Sequence, residues 1–304
     1  MLNTPVLFLV FSRLDTTKQV FAKIREIQPK QLFIGADGAR AGKEGEAEKV
    51  AAVREYILAN IDWDCEVKTL FREQNLGCGV APAEAITWFF ENVEQGIILE
   101  DDCLPDLSFF TFCEELLNYY KDDEKIMHIT GNNFQFGKKR GHESYYFSKY
   151  THNWGWATWR RAWKHMDFDM ATYPIFLAEL EKYDYLFTSE KEKKYWLNEF
   201  SKGNINKNHV WDLQWLYSVW KNDGVTICPN HNLVSNIGFG IDATHTMQSN
   251  NLCNILVKAL VFPLIHQKNK IINKKADNFV FEKSYLQQLT FYSKIKNKIK
   301  ALFK

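Results

Sequence analysis

Gly96-Ile97-Ile98-Leu99-Glu100-Asp101-Asp102-Cys103-Leu104-Pro105 changes character within two residues: an apolar run gives way to three consecutive carboxylates, and a proline follows shortly after. A short apolar run bounded in this way reads as a strand buried on both faces. Adjacent carboxylates at its end repel one another unless a cation sits among them. In open α/β sheets ligands bind outside the carboxyl ends of the strands, so the triplet stands where such a fold would carry chemistry. Mg²⁺ and Mn²⁺ are bound by one or two carboxylates together with substrate phosphates, and the arrangement suits a nucleotide diphosphate held through such an ion. A solvated turn with helix-capping acids is the plainer alternative.

Upstream of the triplet, β-rich runs alternate with helical patterns, the signature of an α/β sheet with helices on its faces. Residues 6–11 form a first apolar strand. Asp15 can cap a helix whose Val20, Phe21, Ile24 and Ile27 recur at helical spacing before Pro29 stops it. Residues 31–36 read as a second strand ending at Asp37-Gly38, residues 44–60 as a charged surface helix, residues 65–71 as a third strand and residues 79–92 as a helix. After the triplet, Pro105-Asp106 opens a helix that buries Phe109, Phe110, Cys113, Leu116, Leu117 and Tyr120, and residues 125–130 form another strand. The rhythm then fades into an aromatic region. Between Tyr145 and Trp220 lie 21 aromatics, eight of them tryptophans, densest in His152-Asn153-Trp154-Gly155-Trp156-Ala157-Thr158-Trp159. A strand over 225–228 and a helix over 211–222 complete the pattern.

The acidic run, with Leu104, Pro105 and an aromatic helix after it, resembles the metal-binding motif of nucleotide-sugar glycosyltransferases of the GT-A fold. The pattern is similar to N-acetylglucosaminyltransferase I and to bacterial glycosyltransferase family 2-like proteins, over roughly residues 4 to 245. The resemblance implies a Rossmann-like mixed sheet flanked by helices. It also implies a UDP-sugar or other nucleotide-sugar donor and a glycan or lipid-linked acceptor, with Mn²⁺ or Mg²⁺ as cofactor. Phe11-Ser12-Arg13 stands where the family has a segment ending in a nucleotide-site Arg, and Gly35-Ala36-Asp37-Gly38 where it carries an Asp facing the base. Asn75-Leu76-Gly77 matches its Asn-x-Gly step. Carried over residue by residue, Arg13, Asp37, Glu100 and Asp101 bind the donor, and Asp102 ligates the metal. His245, in the stretch after Asn236-Ile237-Gly238-Phe239-Gly240, is a further candidate for metal or diphosphate. Phe11-Ser12-Arg13-Leu14-Asp15 has no glycine, which disfavours enzymes that put a Gly-rich phosphate loop directly after the first strand.

An inverting transfer needs a base to take the proton of the incoming hydroxyl. Val210-Trp211-Asp212-Leu213-Gln214-Trp215 resembles the Trp-Asp-Asp-Trp segment that carries this Asp, with Leu213 in place of the second Asp, and assigns the role to Asp212. Trp154 and Trp156 are the candidates for an acceptor floor, since apolar sugar faces stack on aromatic rings; tryptophans also serve as core. The implied division is one glycosyltransferase domain over 1–265, with about 1–105 as the nucleotide half and 106–265 as the acceptor half. Two other readings of the same residues are a non-catalytic carbohydrate-binding protein and a metal-dependent phosphohydrolase.

The net charge of +1 hides two parts. Residues 266–304 hold ten Lys, no Arg and two acids (Asp277, Glu282), which is +8 and leaves −7 for the first 265. An acidic body is not a nucleic-acid footprint. In the basic tail, Ile295, Ile299 and Leu302 recur at i, i+4, i+7 among lysines, the form of a helix that lies on an anionic membrane surface, placed at residues 291–304. No segment reaches the roughly 20 apolar residues a spanning helix needs. Six cysteines without a CxxC pair read as reduced thiols, which points to the cytoplasm, at the inner face of a membrane where the tail docks.

Overall fold

The computed structural model describes residues 1–205, 210–238 and 255–286. Strands β1 (Val6–Val10), β2 (Gln31–Ala36), β3 (Glu66–Phe71) and β4 (Gln95–Glu100) are parallel in the spatial order β3-β2-β1-β4. Leu7 stands opposite Phe33 on one side and Ile98 on the other. Because side chains alternate across a strand, Val6, Phe8 and Val10 enter one core, with Val20, Phe21 and Ile24 of α1 (Leu14–Ile27) and Val53 and Ile57 of α2 (Glu46–Ala59). Leu7 and Leu9 enter a second core, with Ile86 and Phe89 of α3 (Gly77–Asn92). Helices cover both faces, which is why β1, β2 after Gln31 and the 96–99 stretch of β4 are apolar and buried, whereas β3 at the edge of the sheet carries Glu66 and Lys68.

After β4, a short β5 (Cys103–Pro105) leads to α4 (Leu107–Tyr119), capped by the Asp106 carboxylate, which accepts a hydrogen bond from Ser108 N. The sheet then continues with β6 (Ile126–Thr130), β7 (Tyr145–Ser148), β8 (Trp156–Trp159) and β9 (Val225–Pro229) in the spatial order β4-β8-β6-β9-β7. β8 runs antiparallel to both β4 and β6. A second small sheet pairs β5 with β10 (Val234–Asn236). This is the expected α/β architecture, a mixed sheet flanked by helices.

Much of the aromatic region is core. After α5 (Arg160–Trp163), whose Ala162 and Trp163 join the second core, helices α6 (Tyr173–Ala178), α7 (Glu190–Ile205) and α8 (Asp212–Lys221) bring Tyr173, Phe176, Trp196, Phe200, Tyr217 and Trp220 into one cluster. Here the assigned start of the tail is corrected. Residues 266–286 do not stand apart from the body: Ile272 bridges Phe147, and α9 (Lys274–Val280), capped by Asn273, continues as a π-helical turn over Phe281–Leu286. Ala276, Val280 and Phe281 are buried. Residues 291–304 lie outside the described residues. No helix among those described is long and apolar enough to cross a membrane.

A buried ionic cluster ties α9 to the body. Lys149 Nζ lies 2.7 Å from Glu192 Oε1, Ser148 Oγ donates to Asp277 Oδ1 at 2.6 Å and Lys149 N donates to Asp277 Oδ2 at 3.1 Å. Burial draws the Lys149 ammonium down against the pull of Glu192 and pushes Asp277 up to about 6 against that of Lys149. Removing one partner of such a pair leaves an uncompensated charge in the interior. Lys149→Met is therefore expected to lower unfolding free energy by roughly 3–5 kcal/mol in urea titration; a loss under about 1 kcal/mol would show that the cluster is not the anchor of α9.

Candidate active site

The parallel order β3-β2-β1-β4 has a topological switch point. The chain leaves β1 toward β2 and β3, whereas β4 lies on the other side of β1, and the crevice outside the carboxyl ends of such a pair is where α/β sheets bind ligands. Arg13 follows β1, and Asp101 and Asp102 follow β4. The three meet there: Arg13 Nη2 donates to Asp102 Oδ2 at 2.8 Å and to Asp101 Oδ1. The Arg13 carbonyl is held by Thr17, whose N and Oγ1 donate to it at 3.1 and 2.6 Å, so the guanidinium springs from a fixed first turn of α1.

One cation serves three carboxylates. Asp101 is buried and its Oδ2 has no hydrogen-bond partner. Burial pushes Asp101 up to about 6, with Arg13 opposing. Burial and the charges of Asp102 and Asp101 push Glu100 up to about 8. The Arg13 guanidinium is raised above its ordinary value by the two aspartates despite its burial. Carboxylates crowded this closely around one guanidinium favour a further cation beside them.

Asp102 is also fixed from the far end of the chain. Its carbonyl accepts from Ile237 N at 2.8 Å, and its Oδ1 accepts from Asn236 Nδ2 at 3.4 Å, a consequence of pairing β5 with β10. Gly238 is required at its place, because a Cβ there would fall within contact distance of Asp102 Oδ2 and 2.7 Å from Arg13 Nη1. Phe239, Gly240 and the candidate His245 lie outside the described residues.

Asp37 lines the same cavity, but its carboxylate is engaged by backbone. Oδ1 accepts from Gly38 N and Leu76 N, both at 2.9 Å, and Oδ2 accepts from Gly77 N at 2.9 Å. Asn75 Nδ2 donates to Gly38 O at 2.7 Å. The Asp37-Gly38 and Asn75-Leu76-Gly77 motifs, read separately in the sequence, are thus two halves of one clasp between the end of β2 and the start of α3. Any contact of Asp37 with a ligand uses what lone-pair capacity these bonds leave.

Across the cavity, Asp212 opens α8, exposed, with Oδ1 accepting from Leu213 N at 2.8 Å. Its charge is felt by Glu100 and Tyr285. Trp211, beside it, stacks on Trp156 with centroids 5.6 Å apart. Trp215 Nε1 donates to His128 Nδ1 at 3.1 Å, which leaves His128 Nε2–H to donate to His152 O at 3.2 Å. Burial lowers His128 to about 3, consistent with this neutral tautomer.

The expected acceptor role of Trp156 is corrected by this packing. Trp156 is fully buried against Trp211 and does not line the cavity, whereas Trp154 does. The two side chains diverge because Gly155 between them has φ +69°, which breaks strand alternation, and a Cβ there would stand 2.7 Å from Val234 Cγ2. Trp154 meets Phe134 edge to face at 5.5 Å, and its backbone N donates to Asn132 Oδ1 at 3.2 Å.

The cavity that gathers these groups measures about 760 Å³, within the range of small-molecule sites. Arg40, Arg72 and Tyr285 are among the lining residues that the sequence did not single out. Arg40 and Arg72 add cations at the β2 and β3 end, each already paired with a carboxylate, Glu46 and Glu84. Tyr285, from the π-helical turn, reaches the Asp212 end and packs on Trp196 at 4.8 Å. Its signal was present as apolar spacing at Ala276, Val280 and Phe281 behind the Asn273 cap, obscured by the surrounding lysines.

No protein-family model and no curated protein matches the chain. Among solved structures, a mannosyltransferase from Pyrobaculum calidifontis, in complex with GDP-Man and Mn²⁺, is 14% identical over 54% of this chain and 47% of that one, with a TM-score of 0.35. Mouse xyloside xylosyltransferase 1 is 10% identical over 71% and 81%, TM-score 0.35. HddC from Yersinia pseudotuberculosis is 9% identical over 52% and 77%, TM-score 0.31. The match spans about half the length of the mannosyltransferase. These are distant likenesses, and no activity is taken from them.

Proposed function

We propose that the protein is a metal-dependent, inverting glycosyltransferase that moves a sugar from a UDP-sugar to a hydroxyl of a glycan or lipid-linked acceptor. The observation that carries this reading is the meeting of Arg13 with Asp101 and Asp102 at the switch point of the sheet, facing Asp212 across one cavity. Arg13 and the Asp37 clasp line the end where a nucleotide would lie. Trp154 and Tyr285 line the end where a sugar acceptor would stack.

The donor set suits a hard divalent ion. Asp101 Oδ2, buried and without a partner, and the Asp102 carboxylate are hard oxygen ligands. Among the described residues no group of three or more ligating side chains surrounds one point, so Asp101 and Asp102 would hold such an ion together with substrate phosphate, as is usual for Mg²⁺. When bound, the ion stabilises the charge of the departing diphosphate. The chain's own residues do the rest: Arg13 adds positive charge beside the diphosphate, the cavity walls orient the reactants, and Asp212 accepts the proton of the attacking hydroxyl.

The second reading, a metal-free glycan binder, draws on Arg13, which by itself already bonds both Asp101 and Asp102. Calorimetry with UDP, with and without Mn²⁺, separates the two, because a pure glycan binder gives no metal-linked heat. A donor screen by UDP release, with the metal varied, tests the transferase directly; no release from any nucleotide-sugar would reject it, and release of phosphate instead would favour a phosphohydrolase. Gly238→Ala forces a methyl group between Asp102 and Arg13. With about 1–3 kcal/mol of strain between these two side chains, UDP affinity read by calorimetry is expected to fall by roughly 5- to 150-fold, and wild-type affinity would show that this contact is not part of the nucleotide site.

A further inference from the structure

We infer that the face formed by residues 136–140 and 255–261 docks on an anionic lipid surface. These two stretches, distant in sequence, lie side by side against the connection between β9 and β10. Arg140 N donates to Asn230 Oδ1 at 2.9 Å, and Lys258 N donates to Asn232 O at 2.9 Å. His231 stands between them; burial, and then the charges of Lys258 and Lys139, hold its imidazole below the ordinary range, which places both lysines near one ring.

The face combines two properties. Leu256 is 90% exposed, Val261 81% and Phe136 41%. Single exposed apolar residues need no explanation, but apolar residues grouped within a rim of one charge mark a contact surface. The rim is positive: Lys138, Lys139, Arg140 and Lys258 stand in these stretches with no acid among them. Lys138 and Lys139 are exposed. This stretch is also backbone without helix or strand, held by hydrogen bonds such as Leu260 N to Ser108 Oγ at 3.1 Å, so its aliphatic side chains are presented from a fixed support.

Anionic lipid is the partner that satisfies both properties at once, offering phosphate charge at the surface and acyl chain beneath it. A nucleic acid would match the lysines but offer little to Leu256 and Val261, and it would meet an acidic body, −7 over the first 265 residues. Asn132 and Phe134, which line the cavity, run directly into residues 136–140. Docking would therefore bring the Trp154 end of the cavity close to the bilayer, a consequence that rests on the proposed function, whereas docking itself does not.

The test is sedimentation of the full chain with vesicles of phosphatidylcholine, alone or mixed with phosphatidylglycerol. Binding is expected to the mixed vesicles and to be weak on the neutral ones. Lys139→Glu with Lys258→Glu should weaken it by roughly 25-fold or more, each lysine at an anionic leaflet being worth roughly fivefold. Leu256→Ser with Val261→Ser should weaken it at least about tenfold, since each inserted methylene contributes about fourfold. All four positions are exposed, so folding is spared, and circular dichroism checks it. Wild-type affinity in either pair of variants overturns the proposal, as does equal binding to neutral vesicles. So does a dimer in sedimentation equilibrium that Leu256→Ser with Val261→Ser dissociates, or oligonucleotide binding that competes with vesicles and survives that change.

Discussion

Asp102→Ala is expected to remove metal-dependent UDP binding and sugar transfer together, with turnover falling by roughly a thousandfold, the scale of the several kcal/mol that a bound ion contributes at a departing phosphate. The argument rests on position. Of the two aspartates bonded to Arg13, Asp102 has the more accessible side chain, at 13% against 5% for Asp101. Asp102 is also braced by Ile237 and Asn236 from the β5–β10 pair. Deleting its carboxylate leaves Arg13 bonded to Asp101 alone and removes an oxygen ligand at the cavity surface. The fold should tolerate the change, because the Asp102 side chain is partly exposed at the cavity and Arg13, its charged partner, keeps Asp101. Titration with UDP and Mn²⁺ by calorimetry, beside a UDP-release assay, checks both halves. Loss of turnover with metal-linked heat retained would move the ligand role to Asp101, and wild-type turnover would reject the metal site.

Strands β1, β2 and β4 were legible because helices on both faces demand apolar residues at every position, which leaves runs such as Leu7-Phe8-Leu9 and Ile97-Ile98-Leu99. The location of the site followed from the same fact, since the ends of such strands are where an α/β sheet binds ligands. What stayed hidden were partnerships across the chain. The sequence displays the acid at position 37 but not the backbone N–H groups of Leu76 and Gly77 that occupy it. The run Trp154-Gly155-Trp156 suggests one aromatic surface under strand alternation, and a single positive φ sends the rings to opposite sides. Charge counting set the tail boundary at residue 266, yet in α9 lysines occupy the outer face while Ala276, Asp277 and Val280 face inward. A helix can be basic and packed at once.

Asp212→Asn is expected to lower turnover by roughly 10²–10⁴-fold, the usual contribution of a positioned general base, while UDP affinity and its metal dependence stay at wild-type levels. The substitution is chosen because Asn is isosteric and keeps an oxygen to accept from Leu213 N, so the first turn of α8 is preserved. It removes the capacity to take a proton. The backbone that carries this side chain is anchored on both sides: Trp211 stacks on Trp156, and Trp215 is locked through His128 to the carbonyl of His152. If Asp212 served only the helix dipole, its replacement would alter stability by roughly 0.3–1 kcal/mol and leave the rate unchanged. The two roles therefore separate in a single experiment, which pairs a denaturant midpoint with single-turnover transfer at saturating donor. A large loss of rate with an unmoved midpoint assigns the base. The reverse pattern assigns a cap, and it would leave the proton of the acceptor hydroxyl to a residue outside α8.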